Sequence, residues 1–212
     1  MRILNLYSGI GGNRKNWGDT HDITAVEWNE KIAAIYHDFF PNDKIVIADA
    51  HQYLLEHYAE FDFIWSSPPC PTHSRFNLLS NVQEGKNVKY PDMALYQEII
   101  YLQHWFKGKF CVENVVSYYK PLIPPIELSN HYFWTNFYIH QFPKEKRGIR
   151  NEKNHIKIRA EQMGIDFTKI GGNSEFKRKV LNNCVEPETG LHIFNCAFGR
   201  LQQGEIKLTL NQ

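Results

Sequence analysis

The sequence has few cysteines and no long apolar run. Its four cysteines, at positions 70, 111, 184 and 196, show no CxxC or paired spacing, so neither a disulfide framework nor a zinc site is indicated. No apolar stretch approaches the roughly 20 residues that cross a bilayer. Residues 1–6 form a strand pattern rather than the apolar segment of a signal peptide. The ten histidines lack the spacing of metal ligands. These features predict a protein of a reducing cytoplasm, with no metal and no membrane contact.

The net charge is only +1, but the charges are unevenly distributed. Residues 1–137 carry a net charge of −4, residues 138–179 carry +6, and residues 180–212 carry −1. A basic segment in a mildly acidic chain predicts that a polyanion is bound locally. A solvated loop with surplus lysines is the alternative.

Strand and helix patterns alternate along the first half of the chain. Strands are predicted at 3–6, 23–27, 44–49, 61–65 and 109–115, and helices at 29–39, 50–58 and 92–106. This alternation predicts an α/β fold, with a mostly parallel sheet and helices on both faces. Residues 132–140 indicate a further strand pair or hairpin arm, and residues 176–200 show helical spacing. Residues 71–90 lack periodic apolar positions and are expected to form an irregular functional loop.

A rigid turn follows the predicted fourth strand. The strand ends at Ser66 and Ser67, and Pro68 and Pro69 then prevent a helix or ladder from continuing. The first reactive side chain beyond the turn is Cys70. A thiol at the carboxyl end of such a strand lies where α/β folds bind ligands, which indicates a nucleophile. A buried structural cysteine is the alternative.

Three other strand ends carry features suited to a nucleoside. The first strand is followed by a glycine-rich turn, but Arg14 stands where a dinucleotide site requires a third small residue. The second strand ends in Glu27, 18 residues after Gly9, where an acid commonly binds ribose hydroxyls. Trp28 offers a flat apolar face for adenine, and Asp49 could accept a bond from its amine. We therefore expect a nucleoside cofactor without a pyrophosphate.

Glu113 ends the fifth predicted strand and is expected to lie close to Cys70. A thiol that attacks an unsaturated ring needs an acid to neutralise the charge that develops on the ring. A partly buried glutamate could supply that proton. A surface turn at a strand exit is the alternative.

Taken together and in this order, these elements resemble the cytosine-5 DNA methyltransferases over nearly the whole chain. Residues 4–12 resemble the cofactor-binding first motif, with Tyr7 where phenylalanine is usual. Glu27-Trp28, Asp49, Pro69-Cys70, residues 113–115 and residues 181–187 are similar to five later motifs. The resemblance implies a Rossmann-like fold that binds S-adenosylmethionine. The cofactor contacts that it implies are Tyr7, Ser8, Gly9, Ile10, Gly11, Gly12, Glu27, Trp28, Asp49, Ala50, Pro69, Asn183 and Val185.

The implied activity is methylation of carbon 5 of a cytosine flipped out of duplex DNA. Cys70 would add to carbon 6, Glu113 would contact the ring nitrogen and amine, and Asn114 belongs to the same catalytic motif. The small size fits a phage or restriction-modification enzyme. Two alternatives stay open, namely a structured RNA substrate and a catalytically degenerate relative that only binds DNA.

The chain departs from the family pattern at three places. Pro71 replaces the glutamine that usually follows the nucleophile, and Ser66-Ser67 stands where glycines are frequent. The Gln-x-Arg-x-Arg motif is not recognisable, and His131 or Asn136 are candidates to replace its arginine.

The resemblance also implies how the chain is divided. Residues 1–137 would form the cofactor-binding and catalytic domain, residues 138–176 a short basic target-recognition insert, and residues 177–212 a C-terminal helical segment that completes the catalytic domain. Candidate DNA contacts are Ser74, Arg75, Lys144, Lys146, Arg147, Arg150, Lys153 and Arg159.

Overall fold

The computed structural model describes residues 1–83, 85, 87, 89–141 and 155–200. One seven-stranded sheet runs through this part of the chain. Its strands are β1 (Arg2–Leu6), β2 (Asp22–Val26), β3 (Lys44–Val46), β4 (Phe63–Ser66), β5 (Lys109–Val115), β6 (Ile126–Leu128) and β7 (His131–Thr135). Their order is β3-β2-β1-β4-β5-β7-β6, in which the first five are parallel and β7 is antiparallel to both β5 and β6. The predicted mostly parallel sheet is confirmed.

The helices are α1 (Glu30–Phe39), α2 (Ala50–His57), α3 (Arg75–Gln83), α4 (Ala94–Trp105), α5 (His155–Gln162), α6 (Ser174–Asn182) and α7 (Pro187–Phe198), with a 3₁₀ turn at Tyr58–Glu60. Asn29 and Asp49 cap α1 and α2 by accepting bonds from backbone N–H groups of the first turn, as short polar side chains at that position do. Helix α7 starts with Pro187 and ends at Gly199, whose φ of 63° suits glycine.

Alternate residues of the strands face opposite sides of the sheet. On one face Leu4, Ile64 and Val112 pack with residues of α2 and α4. On the other face Ile3, Phe63 and Cys111 pack with residues of α7. The sheet therefore has helices on both faces, as predicted, and the carboxyl ends of the parallel strands meet at one edge.

Two predictions about local structure need correction. Part of the segment 71–90, expected to be irregular, forms helix α3. The predicted strand at 132–140 stops at Thr135, and its hairpin partner is β6, which precedes it. Ser129 and Asn130 connect the two strands with φ of 50° and 65°, the left-handed conformation that two-residue hairpin turns require.

The described part of the predicted insert packs against other parts of the chain. Ala160, Met163 and Ile170 form one apolar cluster with Leu181 of α6 and with Ile10 of the glycine-rich turn. The proposed division of the chain stays a prediction. Among the described residues, no helix has the length and apolar character needed to cross a membrane.

Candidate active site

The glycine-rich turn leaves β1 at the edge where the parallel strands end. Ser8 donates its N–H to Val26 O at 3.0 Å, which ties the turn to β2. Gly9 has φ of 54°, and a Cβ at this position would meet no atom within 4 Å. The space beside Gly9 is therefore open to a ligand, which can approach the backbone closely.

Glu27 lies directly against this turn. Its carboxylate accepts bonds from Gly9 N at 3.1 Å and Asn29 N at 2.9 Å. Burial raises the pKa of Glu27, and these backbone bonds oppose the shift. The N–H of Trp28 is a third backbone donor to this carboxylate. Because a carboxylate has about four acceptor sites, it retains capacity for at least one hydroxyl. Trp28 is 72% exposed, which leaves its ring face available for stacking.

The third strand end is closed by the start of α2. Asp49 uses one carboxylate oxygen to accept from Gln52 N at 3.0 Å, and its second oxygen has no hydrogen bond to another described residue. Ala50 is buried. The open backbone at Gly9, the remaining acceptor capacity of Glu27 and the exposed indole of Trp28 therefore fit the adenosine part of S-adenosylmethionine.

Residues in α7 and between α6 and α7 pack closely against the end of the glycine-rich turn. A Cβ at Gly12 would lie 2.5 Å from Val185 O, and a Cβ at Gly190 would lie 2.4 Å from Asn13 O. Both glycines are therefore required by close backbone contact. Val185 is buried, whereas Asn183 is exposed at the end of α6.

Residues 67–70 form the turn that carries the predicted nucleophile Cys70, and we call it the nucleophile turn. Side chains on both sides of its two prolines hold it in place. Trp65 Nε1 donates to Ser67 Oγ at 2.9 Å, and Asn114 Nδ2 donates to Pro68 O at 3.0 Å. Asn114 is buried, so this bond fixes the proline carbonyl rather than reaching solvent. The structure thus places Asn114 as a support for the turn that leads to Cys70. Pro69 is exposed beside Cys70.

Cys70 follows the end of β4, and Glu113 lies near the end of the neighbouring strand β5. Ser66 of β4 pairs with Val112 of β5, so Glu113 emerges next to the start of the nucleophile turn. Cys70 is half-buried. Burial, followed by the negative charge of Glu113, raises the pKa of the Cys70 thiol to about 11. The two side chains therefore interact electrostatically, and Cys70 rests as a neutral thiol.

His131 approaches Glu113 from β7. Its Nε2 lies 3.7 Å from Glu113 Oε1, and its Nδ1 lies 3.1 Å from Ser129 O. A carbonyl oxygen only accepts, so Nδ1 carries a proton and Nε2 faces the carboxylate. Of the two candidates to replace the missing arginine, His131 is the one that reaches the site.

Asn136 is excluded as a substitute by its position. Its side chain accepts from Phe110 N at 3.1 Å and donates to Gly108 O at 2.8 Å. These groups lie at the amino end of β5, opposite to the end that carries Glu113, because β7 runs antiparallel to β5. The prediction for Asn136 is wrong, and its role is to join two strand ends.

Residues 73–75, which follow Cys70, are bound to residues 117–119, which follow β5. Ser74 pairs with Ser117, and Arg75 Nε donates to Ser117 O at 2.7 Å. His73 is 1% exposed, and its Nδ1 lies 2.6 Å from Tyr119 Oη. Residues 73–75 are therefore fixed by at least three contacts, which the sequence did not indicate. The Nη groups of Arg75 have no hydrogen bond to another described residue.

Most of the predicted insert contacts fall outside the described residues, namely Lys144, Lys146, Arg147, Arg150 and Lys153. Arg159 is described, and its Nη2 lies 3.3 Å from Glu186 Oε1. That ion pair links α5 to the start of α7. Any contact of Arg159 with a nucleic acid would have to compete with Glu186.

A buried carboxylate that the sequence reasoning missed is Glu98 of α4. It is 1% exposed and accepts from Tyr7 Oη and Ser66 Oγ, each at 2.6 Å. The signal was available, since Glu98 follows Leu95 by three residues and precedes Leu102 by four, which places it on the apolar face of the helix. Within the described residues, no cluster of three His, Cys, Asp or Glu side chains could hold a metal ion.

The chain is similar to several known proteins. The sequence is 27% identical over 96 residues to the mouse tRNA (cytosine(38)-C(5))-methyltransferase, a match that covers 42% of this chain and 23% of that protein. The fold resembles that of a methyltransferase of Entamoeba histolytica, with a TM-score of 0.61, 11% identity, and coverage of 96% and 99% of the two chains.

A DNMT2 mutant of Spodoptera frugiperda is 27% identical, with a TM-score of 0.38 over 54% of this chain and 35% of that one. The chain thus spans about a quarter of the mouse relative, and less than half of the insect one. The sequence model of the C-5 cytosine-specific DNA methylases matches residues 1–118. That region holds the glycine-rich turn, the nucleophile turn and β5, and this chain belongs to the C-5 cytosine-specific DNA methylase family.

Proposed function

We propose that the chain is a DNA cytosine-5 methyltransferase that modifies a cytosine flipped out of duplex DNA. The observation that carries this proposal is the pairing of Cys70 with Glu113, which leave adjacent strands and interact electrostatically. A nucleophile and an acid at one strand edge are what addition to a pyrimidine ring requires.

The proposed chemistry uses both side chains. Cys70 loses its proton to water, and its sulfur forms a bond to carbon 6. The electron pair of the 5,6 double bond moves through the ring towards nitrogen 3, which takes a proton from the protonated form of Glu113. Carbon 5 then becomes nucleophilic. S-adenosylmethionine, when bound, supplies the methyl group for that carbon. Water then removes the proton from carbon 5, nitrogen 3 returns its proton to Glu113, and cleavage of the sulfur–carbon bond restores the aromatic ring. Cys70 leaves as a thiolate, which takes a proton back from water.

Base binding and thiol activation are coupled in this scheme. The negative charge of Glu113 is one cause of the raised pKa of Cys70. When Glu113 takes up a proton beside the bound cytosine ring, that cause is removed and the thiolate becomes easier to form. Cys70 therefore stays protonated, and protected from oxidation, until a base enters the site.

The roles assigned to other residues follow the same proposal. The cofactor would lie between Gly9, Glu27 and Trp28, with Asp49 at the adenine. His131 would take the place of the missing arginine and meet the cytosine carbonyl. Residues 138–176 would form the target-recognition insert, because the excess of basic residues falls there.

The test is methyl transfer from labelled S-adenosylmethionine to duplex DNA of mixed sequence. We expect incorporation by the wild-type protein and none by Cys70→Ala. A second experiment, bisulfite sequencing of DNA from cells that express the protein, gives the target sequence. Absence of label in every DNA tested would refute a DNA substrate.

An RNA substrate is the second candidate, and it is supported by the similarity to the mouse tRNA methyltransferase. Nuclease treatment of the labelled product separates the two substrates. Removal of the label by ribonuclease alone, with none removed by deoxyribonuclease, would favour RNA.

A protein that binds DNA without turnover is the third candidate. A duplex that contains 5-fluorocytosine distinguishes it, because fluorine at carbon 5 cannot leave as a proton does and the sulfur–carbon bond persists. We expect a covalent adduct at Cys70 that resists denaturation. A protein that only binds would give none.

A further inference from the structure

Glu98 joins the cofactor side of the site to the nucleophile side. Its carboxylate binds Tyr7 at the end of β1, Ser66 at the end of β4, and His51 in α2, the last with 3.0 Å between Nδ1 and Oε1. The three partners lie on three separate elements. The side chain of Glu98 has no exposed surface, so these three contacts take the place of water.

Packing alone does not explain a carboxylate at this position. The neighbouring positions on the same helix face, Leu95, Ile99 and Leu102, are fully apolar and buried. A buried charge is costly to desolvate, and an apolar side chain of similar volume often gives equal or greater stability. Its three hydrogen bonds therefore point to a task other than stabilising the core.

Tyr7 begins the glycine-rich turn at residues 7–12, here called the cofactor turn, and its backbone has an uncommon conformation. Its φ is 53°, a value that residues other than glycine rarely adopt, and bulky ones least of all. Such conformations persist where the surroundings determine them. The bond from Tyr7 Oη to Glu98 is a contact that can hold the ring in place and so set the direction in which residues 8–12 leave the strand.

Ser66 is the residue through which Glu98 contacts the strand that leads to Cys70. Its backbone pairs with Leu6, the residue before Tyr7, and the rigid Pro68-Pro69 turn follows it. Because the prolines restrict the chain, the orientation of Ser66 is transmitted to Cys70. We propose that Glu98 is a positioning residue that fixes Tyr7 relative to Ser66, so that the cofactor turn and the nucleophile turn keep one geometry.

His51 makes this contact dependent on pH. The hydrogen bond to Glu98 is the main cause of its raised pKa, burial opposes it, and the carboxylates of Asp49 and Asp92 add to it. Tyr7 Oη binds the same carboxylate oxygen. The protonated imidazole makes a charged hydrogen bond to Glu98, so this support has its full strength below the ordinary pKa of His51 and weakens as the pH rises through the raised one, because the neutral Nδ1–H tautomer donates without a charge.

The inference rests on the proposed function only in that the ligand is S-adenosylmethionine, and its test needs no nucleic acid. Titration calorimetry measures the affinity for S-adenosylmethionine in wild type, Tyr7→Phe, Ser66→Ala and the double variant. We expect Tyr7→Phe to weaken binding about tenfold, since a hydrogen bond to a charged group is lost. Ser66→Ala should weaken it about threefold. The double variant should match Tyr7→Phe, because without the Tyr7 contact Ser66 has no route to the turn.

Tyr36→Phe is the matched control. Tyr36 Oη also donates to a buried carboxylate, that of Asp43 at 2.7 Å, but outside this network. We expect Tyr36→Phe to lower the melting temperature as much as Tyr7→Phe does and to leave the affinity unchanged. A second readout is the pH profile, in which affinity should fall as His51 deprotonates in wild type and stay flat in His51→Gln.

The outcomes separate the two proposals. A wild-type protein that does not bind S-adenosylmethionine overturns the proposed function and this inference together. Binding by wild type with an unchanged affinity in Tyr7→Phe overturns the inference alone. So do additive losses in the double variant, which would show that Tyr7 and Ser66 act separately.

Discussion

The protonation state of Cys70 gives the sharpest test of the site. Burial and the charge of Glu113 raise the thiol pKa to about 11, two units above the ordinary value of about 9. At pH 8 the thiolate fraction is then smaller by about 100-fold, since each unit is a factor of ten. The rate of alkylation by iodoacetamide should therefore rise with pH up to about 10 without a plateau near 9, because the thiolate is the reactive form.

Glu113→Gln separates the two causes of the shift. The amide has nearly the same shape but no negative charge, so it removes the repulsion and leaves the burial. Burial is the larger cause, so the pKa of Cys70 should fall in Glu113→Gln but stay above its ordinary value. We expect alkylation of Cys70 at pH 8 to be faster, by less than the roughly 100-fold that loss of the whole rise would give.

The measurement follows each cysteine peptide by mass spectrometry. Cys184 serves as an internal control, since burial raises its pKa to about 12 and Glu113 does not contribute. Its rate should be equal in wild type and Glu113→Gln. Slower alkylation of Cys70 in Glu113→Gln would refute the reasoning, because it would mean that Glu113 removes the thiol proton in the free enzyme.

Three further predictions concern stability and turnover. Gly190→Ala places a methyl group against the backbone of Asn13, next to the cofactor turn. Because overpacking is destabilising, the substitution should lower the free energy of unfolding by about 2 kcal/mol. It should also weaken binding of S-adenosylmethionine. Asp43→Ala leaves the buried Arg14 guanidinium without its two-bond partner, and it should cost about 3 kcal/mol in urea unfolding; a loss below about 1 kcal/mol would contradict this. His131→Gln removes the imidazole that faces Glu113, and it should reduce methyl transfer about tenfold, an effect of about 1.4 kcal/mol on the barrier, with the melting temperature unchanged.

The parts of the fold that the sequence predicted are those with strong local signals. The strands that begin near Ile3, Ile23 and Phe63 are apolar runs, and the cap at Asn29 marks the start of α1. Parallel connectivity then brings strand ends together regardless of loop detail. That is why the sequence alone predicts that Cys70 and Glu113 lie near each other.

The parts that could not be predicted depend on contacts between distant segments. Helix α3 has almost no apolar periodicity, and the segment before it is fixed by contacts with Ser117 and Tyr119 that lie more than 40 positions away. Strand β6 has three residues and needs the register of β7 to define it. Asn136 was assigned wrongly because the sequence does not show at which end of β5 it falls.

Glu98 explains two departures from the family pattern that looked unrelated in the sequence. Tyr7 stands where phenylalanine is usual and Ser66 where glycine is frequent, so Tyr7 adds a hydroxyl group and Ser66 a hydroxymethyl group to the residue it replaces. Both hydroxyls donate to the same buried carboxylate at 2.6 Å. A half-satisfied buried carboxylate is worse than an apolar side chain, so either substitution without the other would leave Glu98 short of a donor. The two replacements therefore act as a pair, and reverting only one of them should cost more than its single hydrogen bond.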